Sequence, residues 1–329
     1  MKGGHLLLTG FYGEGNLGDD AILRGIASSL PAGTRILATA GNTPLPPGIH
    51  GIRRRGILSW PAFLGALKGA RLVVGSGGLL QDWSLDGVTF YALRFLAARL
   101  AGKPVALFGA GLGPLRSTGT RSLAAFSLGA TSHCHLRDDE SVRLFHELTG
   151  REAQRGADWS WGISASSRGS PTPRNLPSDV IAINIRPWLT HDWREAATRW
   201  LAGADRKTLI GISARPEDRR LMERVWPGLR IHEPADFSAL LADASVLREG
   251  WAMRYHVLLA LLRAGVPVRA LPYDGKARHL AEAAGLPVPE PGDSAPSRAE
   301  RAARAFLIAE EERFARMSEA FRQAWEEAA

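Results

Sequence analysis

Met253-Arg254-Tyr255-His256 opens an apolar run, and beyond that run stands Tyr273-Asp-Gly-Lys276. An imidazole that can carry a proton near neutral pH lies two residues from a guanidinium, with an ammonium to follow. Together these groups suit an anionic substrate that needs acid–base help. Upstream, Arg137 sits within Leu136-Arg-Asp-Asp-Glu-Ser141, and its planar fork matches a carboxylate or a phosphate. A salt bridge to Asp138 or Asp139 is the plainer use of that arginine. His133 and His135 alternate as on a strand. No carboxylate at metal-ligand spacing accompanies them, so packing or surface roles are expected and no metal site is read.

Three glycine-rich segments add groups of another kind. The first, Gly10 to Asp19, follows an apolar strand and opens a helix; glycines such as Gly15 let backbone N–H groups approach a ligand. Asn16 and Asp19 suit sugar hydroxyls, while a helix N-cap at Asp19 or Asp20 is the structural alternative. No Gly-Lys-Ser/Thr follows, and the Asp19-Asp20 pair would repel a pyrophosphate, so neither a P-loop nor a dinucleotide fingerprint is present. The second, Gly75-Ser-Gly77-Gly78-Leu-Leu-Gln81-Asp82, places Gly77 and Gly78 for close backbone approach and Gln81 and Asp82 to orient hydroxyls. The third runs from Gly109 to Gly113. Read as loops at strand C-termini, the three define one cleft face.

Alternating elements must hold these groups. Strands are expected at His5–Leu8, Arg35–Ala40, Leu72–Val74 and Pro104–Phe108, with helices over Asp20–Leu30, Val88–Leu100 and Asp138–Leu148. Acidic residues suit the start of the last of these helices. Such alternation implies a parallel sheet with helices on both faces. A second series follows at Val180–Ile185, Thr208–Ile212, Arg230–Ile231 and Val268–Leu271, which puts Arg254 and His256 at a helix start and Lys276 just past the next strand. Open α/β sheets present ligand-binding groups at such positions. The Ser/Pro/Gly-rich stretch before the second series reads as a linker. The domains are therefore 1–165, a linker 166–178, a second α/β domain 179–296, and a C-terminal amphipathic helix 297–329 packed on the body.

Length alone points to two domains, since 329 residues exceed a typical single core. A lone cysteine, Cys134, excludes an internal disulfide. No apolar run is long enough for a spanning helix, and the N-terminus lacks the features of a signal peptide, so a cytoplasmic chain is expected. The net charge of +8 comes from a basic set in which 36 of 41 residues are arginine, a bias of composition as much as an attraction to acidic partners. No nucleic-acid module is recognisable.

Taken together, GFYGEGNLGDDAIL at 10–23, GSGGLLQD at 75–82, LRDDES at 136–141, MRYH at 253–256 and YDGK at 273–276 resemble the polysaccharide pyruvyl transferase family, particularly its CsaB type. The similarity runs from the N-terminus to about Leu286. The family's usual Arg-Leu-His stands here as Arg254-Tyr255-His256, and Ser76 interrupts its run of glycines. The resemblance implies two Rossmann-like domains with parallel sheets, GT-B-like, with the site in a cleft between them. It implies phosphoenolpyruvate as donor, no cofactor, and a sugar diol as acceptor, giving a ketal-linked pyruvate and phosphate. For the CsaB type the acceptor would be an N-acetylmannosamine residue on a polyprenyl-diphosphate-linked saccharide, in the setting of cell-wall polysaccharide and S-layer anchoring. That acceptor would bring the chain to the inner face of the membrane by peripheral contact. Residue matching would make His256, Arg137 and Lys276 catalytic, and Arg254 can bind the anionic donor by charge-assisted hydrogen bonds. Two alternatives keep the architecture: a nucleotide-sugar glycosyltransferase of GT-B type, or a non-catalytic protein binding anionic sugars.

Overall fold

Leu6, Leu7 and Leu8 are fully buried in β1 (His5–Tyr12), a strand inside a seven-stranded parallel sheet. The computed structural model describes residues 4–82, 85–129, 131–165, 176, 179–188, 192–202, 205–290, 292–294 and 299–328. Two compact units emerge, one of Met1–Gly15, Asp19–Gly162 and Glu310–Ala329, the other of Asn16–Gly18 and Ile163–Ala309. Apart from residue 176, the predicted linker 166–178 lies outside the described residues, as does the expected helix start at Ser297.

After β1 the chain runs through α1 (Leu17–Ser28), β2 (Ile36–Ala40), β3 (Ile49–Arg53), α2 (Ser59–Gly69), β4 (Ala70–Leu79) and α3 (Leu85–Leu100). Then come β5 (Val105–Leu112), α4 (Thr118–Leu128), β6 (His133–Leu136), α5 (Asp139–Thr149) and β7 (Gln154–Arg155). The strand order β3-β2-β1-β4-β5-β6-β7 reverses direction of growth between β1 and β4. Alternation along the buried strands sorts the helices onto two faces. Leu7, Val73, Val105 and Leu107 face α2, α3, α4 and α5, whereas Leu6, Leu8, Val74 and Phe108 face α1 and the C-terminal helix. Local chemistry sets the helix ends: Asp138 caps α5 by accepting from Ser141 N (2.8 Å), and Gly150 ends it in the left-handed conformation.

The second unit holds β8 (Ile181–Asn184), α6 (Asp192–Trp200), β9 (Leu209–Ile212), α7 (Pro216–Val225), β10 (Ile231–His232), α8 (Phe237–Ala244) and β11 (Glu249–Ala252). It continues with α9 (Tyr255–Arg263), β12 (Val268–Ala270) and α10 (Gly275–Ala283). Its five parallel strands take the order β10-β9-β8-β11-β12, so growth reverses between β8 and β11. The last helix, α11 (Arg304–Glu327), buries Met317, Phe321, Ala324 and Trp325 against the first sheet.

The glycine-rich segments at 75–78 and 109–112 are not the expected loops. Both continue their strands, pairing Gly77 with Ala110 and Gly78 with Gly111 after a register shift. Glycine's missing Cβ leaves room for side chains that pack onto this part of β5. A Cβ on Gly111 would overlap the Arg137 guanidinium, and one on Gly109 would overlap the Trp159 indole.

Candidate active site

In the second unit, His256 and Lys276 stand beyond the C-terminal ends of neighbouring parallel strands, β11 and β12. His256 is the second residue of α9. Its ring meets Tyr255 and Phe237 edge-on, at 5.0 and 6.3 Å between centroids. Lys276 is the second residue of α10, whose N-cap Asp274 accepts from Ala277 N at 3.0 Å. Asn16 belongs to the same unit, and its Oδ1 accepts from Gly18 N at 3.2 Å, the bond of a helix N-cap. The cap expected at Asp19 or Asp20 thus falls on Asn16, because α1 begins earlier, at Leu17. A Cβ on Gly18 would overlap the His256 imidazole, so glycine there lets the Asn16–Gly18 turn rest against the histidine.

Arg254 precedes α9 and is almost wholly buried. Its Nε and Nη2 donate to Asp218 at 2.5 and 2.6 Å, and Nη2 also to Glu217 at 3.2 Å. Burial opposes its charge, but the bonds and charge of Asp218 outweigh burial and hold the guanidinium above its ordinary range. The edge suited to bidentate capture of an oxyanion is thereby committed to α7. Asn184, fully buried at the end of β8, completes the frame: its Oδ1 accepts from Arg254 N (2.9 Å) and its Nδ2 donates to Ile212 O (2.9 Å). Nothing in the sequence singled out Asn184, although a polar residue ending an apolar strand is a signal worth reading. Arg186 was also missed. It donates to the Tyr273 hydroxyl at 2.7 Å and lies over the Tyr273 and Trp188 rings, adding a cation to the strand ends that carry Lys276.

In the first unit, Arg137 follows β6 and is nearly inaccessible. Its Nη1 donates to the buried Asp158 at 3.3 Å, and Nε lies 3.5 Å from Asp138. Asp158 in turn accepts from Ser160 N at 2.9 Å. Asp19 is buried in the first full turn of α1 beside Tyr12 and Gly77. Gly15 and Gly77 both take positive φ, +66° and +78°. Gly78 and Gln81 line a cavity of about 650 Å³. Between Gly78 and Gln81, Leu80 adopts φ +49°, a left-handed conformation that a leucine holds only under constraint. Asp82 is engaged otherwise than a free hydroxyl ligand would be: its Oδ2 accepts from the N–H groups of Arg116 and Ser117 and from Thr120 at the head of α4. Burial alone would raise its pKa, but those donors outweigh burial and lower it. His133 and His135 stack on Phe108, and burial with the neighbouring His133 pushes His135 down to about 4.

Each unit therefore presents predicted groups along the C-terminal edge of its own sheet. Arg137, Asp19, Gly15, Gly77, Gly78, Gln81 and Asp82 belong to the first; His256, Lys276, Arg254 and Asn16 belong to the second. Solved structures share this GT-B fold across nearly the whole chain. The UDP-GlcNAc 2-epimerase of Neisseria meningitidis, bound to UDP-GlcNAc, is 12% identical with a TM-score of 0.60, covering 98% of this chain and 100% of its own. The Methanocaldococcus jannaschii UDP-GlcNAc 2-epimerase is 14% identical with a TM-score of 0.56, covering 94% and 91%. Anabaena Alr3699/HepE in complex with UDP-glucose is 14% identical with a TM-score of 0.55, covering 98% and 92%. At such identity the likeness is one of fold. No curated protein matches in sequence. A family model, polysaccharide pyruvyl transferase, matches residues 16–275 and spans His256, Arg137 and the other groups described above except Gly15 and Lys276. The chain belongs to the polysaccharide pyruvyl transferase family.

Proposed function

We propose that the chain transfers pyruvate from phosphoenolpyruvate to two hydroxyls of one sugar, as a ketal, with release of phosphate. The observation that carries this reading is the placing of His256 and Lys276 past neighbouring parallel strands, within a chain of this family. His256 gives its proton to the methylene carbon while one sugar hydroxyl attacks the central carbon and returns a proton to the imidazole. Phosphate then leaves, the second hydroxyl closes the ring, and its proton departs on the phosphate. No net proton is consumed. Lys276 and Arg137 stabilise the carboxylate and the departing phosphate electrostatically. Arg254 acts by holding the head of α9, and with it His256, against Asp218 and Asn184. Asn16, Asp19, Gly15, Gly77, Gly78 and Gln81 face the acceptor, and Asp82 contributes through the loop that it ties to α4. Of the CsaB-type acceptors, N-acetylmannosamine on a polyprenyl-diphosphate-linked saccharide fits this reading.

The test is phosphate release from phosphoenolpyruvate with a panel of saccharide acceptors. His256→Ala lowers acceptor-dependent release by about 10²–10⁴-fold. Release unchanged in that variant refutes the histidine's role and leaves the transfer standing. The nucleotide-sugar reading draws on the fold neighbours, whose structures hold UDP-GlcNAc or UDP-glucose. Saturable binding of UDP-GlcNAc without turnover of phosphoenolpyruvate would favour it.

A further inference from the structure

Between Asp20 and Asp138 the chain carries thirteen Lys or Arg residues and only two acids, Asp82 and Asp86. This stretch alone has a net charge of +11, more than the +8 of the whole chain. It contains α2, α3 and α4, which pack on one face of the first sheet through Phe63, Phe95 and Leu128. Away from the sheet, Ile57, Leu58, Leu64, Leu93, Leu100 and Phe126 are exposed, Ile57 at 94%. Single exposed apolar side chains are ordinary, but Leu64 and Leu93 on α2 and α3, with Ile57 and Leu58 in the turn before α2 and exposed Arg53 and Arg55 beside that turn, form a mixed cationic and apolar surface.

The 650 Å³ cavity opens within this surface. Leu93 and Arg55 line it, together with Trp60, Arg54 and Arg94. Arg94 is 2% exposed, and its guanidinium lies 3.6 Å from the Phe90 ring centroid and 4.9 Å from that of Trp60. Its Nη atoms donate to the carbonyls of Phe90 and Arg54, while Nε is buried with no hydrogen-bond partner among the described residues. Burial and the charge of Arg54 push Arg94 down to about 10, leaving it cationic at neutral pH. Arg54 bonds one carboxylate, Glu14, at 3.0 Å. Among the described residues, two buried guanidiniums face one carboxylate and leave a positive charge in a pocket rimmed by leucine and tryptophan.

We infer that the α2–α4 face of the first unit docks on an anionic lipid surface, with a lipid phosphate entering the Arg54/Arg94 pocket and Ile57, Leu58, Leu64 and Leu93 entering the acyl boundary. Charge complementarity selects lipid phosphate, and the exposed apolar set selects a lipid over a free anion. The pocket shares Gly78 and Gln81 with the wall that the proposed function gives to the acceptor, so acceptor and lipid phosphate compete there, while the docking itself is read without turnover.

The purified full chain is floated with phosphatidylcholine vesicles, with and without a third of phosphatidylglycerol. It partitions onto the anionic vesicles alone, and raising salt from about 0.05 M to about 0.5 M removes most of the binding by screening. Ile57→Asp with Leu64→Asp, both at exposed positions, lowers partition at least tenfold with unchanged melting, and Arg55→Gln lowers it about fivefold. Dihexanoylphosphatidic acid binds saturably, and Arg94→Gln abolishes that binding; if this variant does not fold, the paired Asp substitutions decide. Equal binding to neutral vesicles, no binding, or wild-type partition of the paired variant overturns the inference. Inorganic phosphate binding as tightly as the lipid would make the pocket a free-anion site and overturn it as well. A dimer that the paired variant splits, with vesicle binding intact, would assign the face to a second copy instead.

Discussion

Arg254 and Arg94 are both buried arginines, yet their surroundings differ in kind. Arg254 faces Asp218 and Glu217 through short, charge-assisted bonds, so its charge is neutralised in place. Arg94 faces aromatic rings and carbonyls, and among the described residues no carboxylate pairs with it. A carboxylate-held arginine is framework: removing its partner strands a charge in a dry place. A ring-held arginine keeps its charge for something from outside. Arg137, held by Asp158 and Asp138, leans towards the first kind, which makes it a group whose orientation is set before any substrate arrives.

Asp218→Ala leaves the buried Arg254 with only the partly exposed Glu217 as a carboxylate among the described residues and destabilises the second unit by about 3–5 kcal/mol in denaturant titration. Glu14→Ala, which removes the carboxylate that Arg54 bonds, costs about 1 kcal/mol or less, because Glu14 is partly exposed and the rings remain. Equal losses from the two would erase the distinction. Gly111→Ala crowds Arg137 and destabilises the first unit by about 1–3 kcal/mol; the drop in phosphate release should exceed what lost folded protein explains. The smallest effect sharpens the electrostatics of α1. Burial, then the charge of Asp19, raises Asp20 to about 6. A carboxyl raised in the folded state favours folding while protonated, so its ionisation costs stability as pH rises from about 4 through 6. Asp20→Asn therefore stabilises the protein by roughly 1 kcal/mol at neutral pH, discounted for partial exposure, and the gain fades in melts taken towards pH 4.

Much of the strand–helix alternation was legible because apolar runs such as Leu6–Leu8 and Val105–Phe108 are buried on both faces and stop at glycine. The helix start at Lys276 was legible because it follows the apolar strand Val268–Leu271, and that at Arg254 because the apolar run Val257–Leu262 comes directly after it. β11 escaped notice because Glu249-Gly-Trp-Ala is short and carries neither alternation nor a β-branched residue. β3, Ile-His-Gly-Ile-Arg, is an exposed edge strand and equally patternless. The glycine runs were misread as loops because glycine has no side chain to show a period. Of the candidate site, the cationic and acid–base groups could be named from type and spacing. Their partners could not: Asp218 lies far from Arg254 in sequence, and so does Asp158 from Arg137. The Arg54/Arg94 pair was hidden likewise, since it is assembled from the end of β3 and the middle of α3.

The contact of Gly111 with Arg137 bears on how this chain can vary over generations. Any larger residue at 111 displaces the guanidinium, and a smaller residue at 137 removes the cation paired with the buried Asp158. Gly109 is bound in the same way to Trp159, whose indole donates to Phe108 O at 2.8 Å. Single substitutions at these positions are expected to cost stability that a joint change can recover. The segment should drift as a block: relatives that lose the arginine are expected to lose the glycine and Asp158 with it.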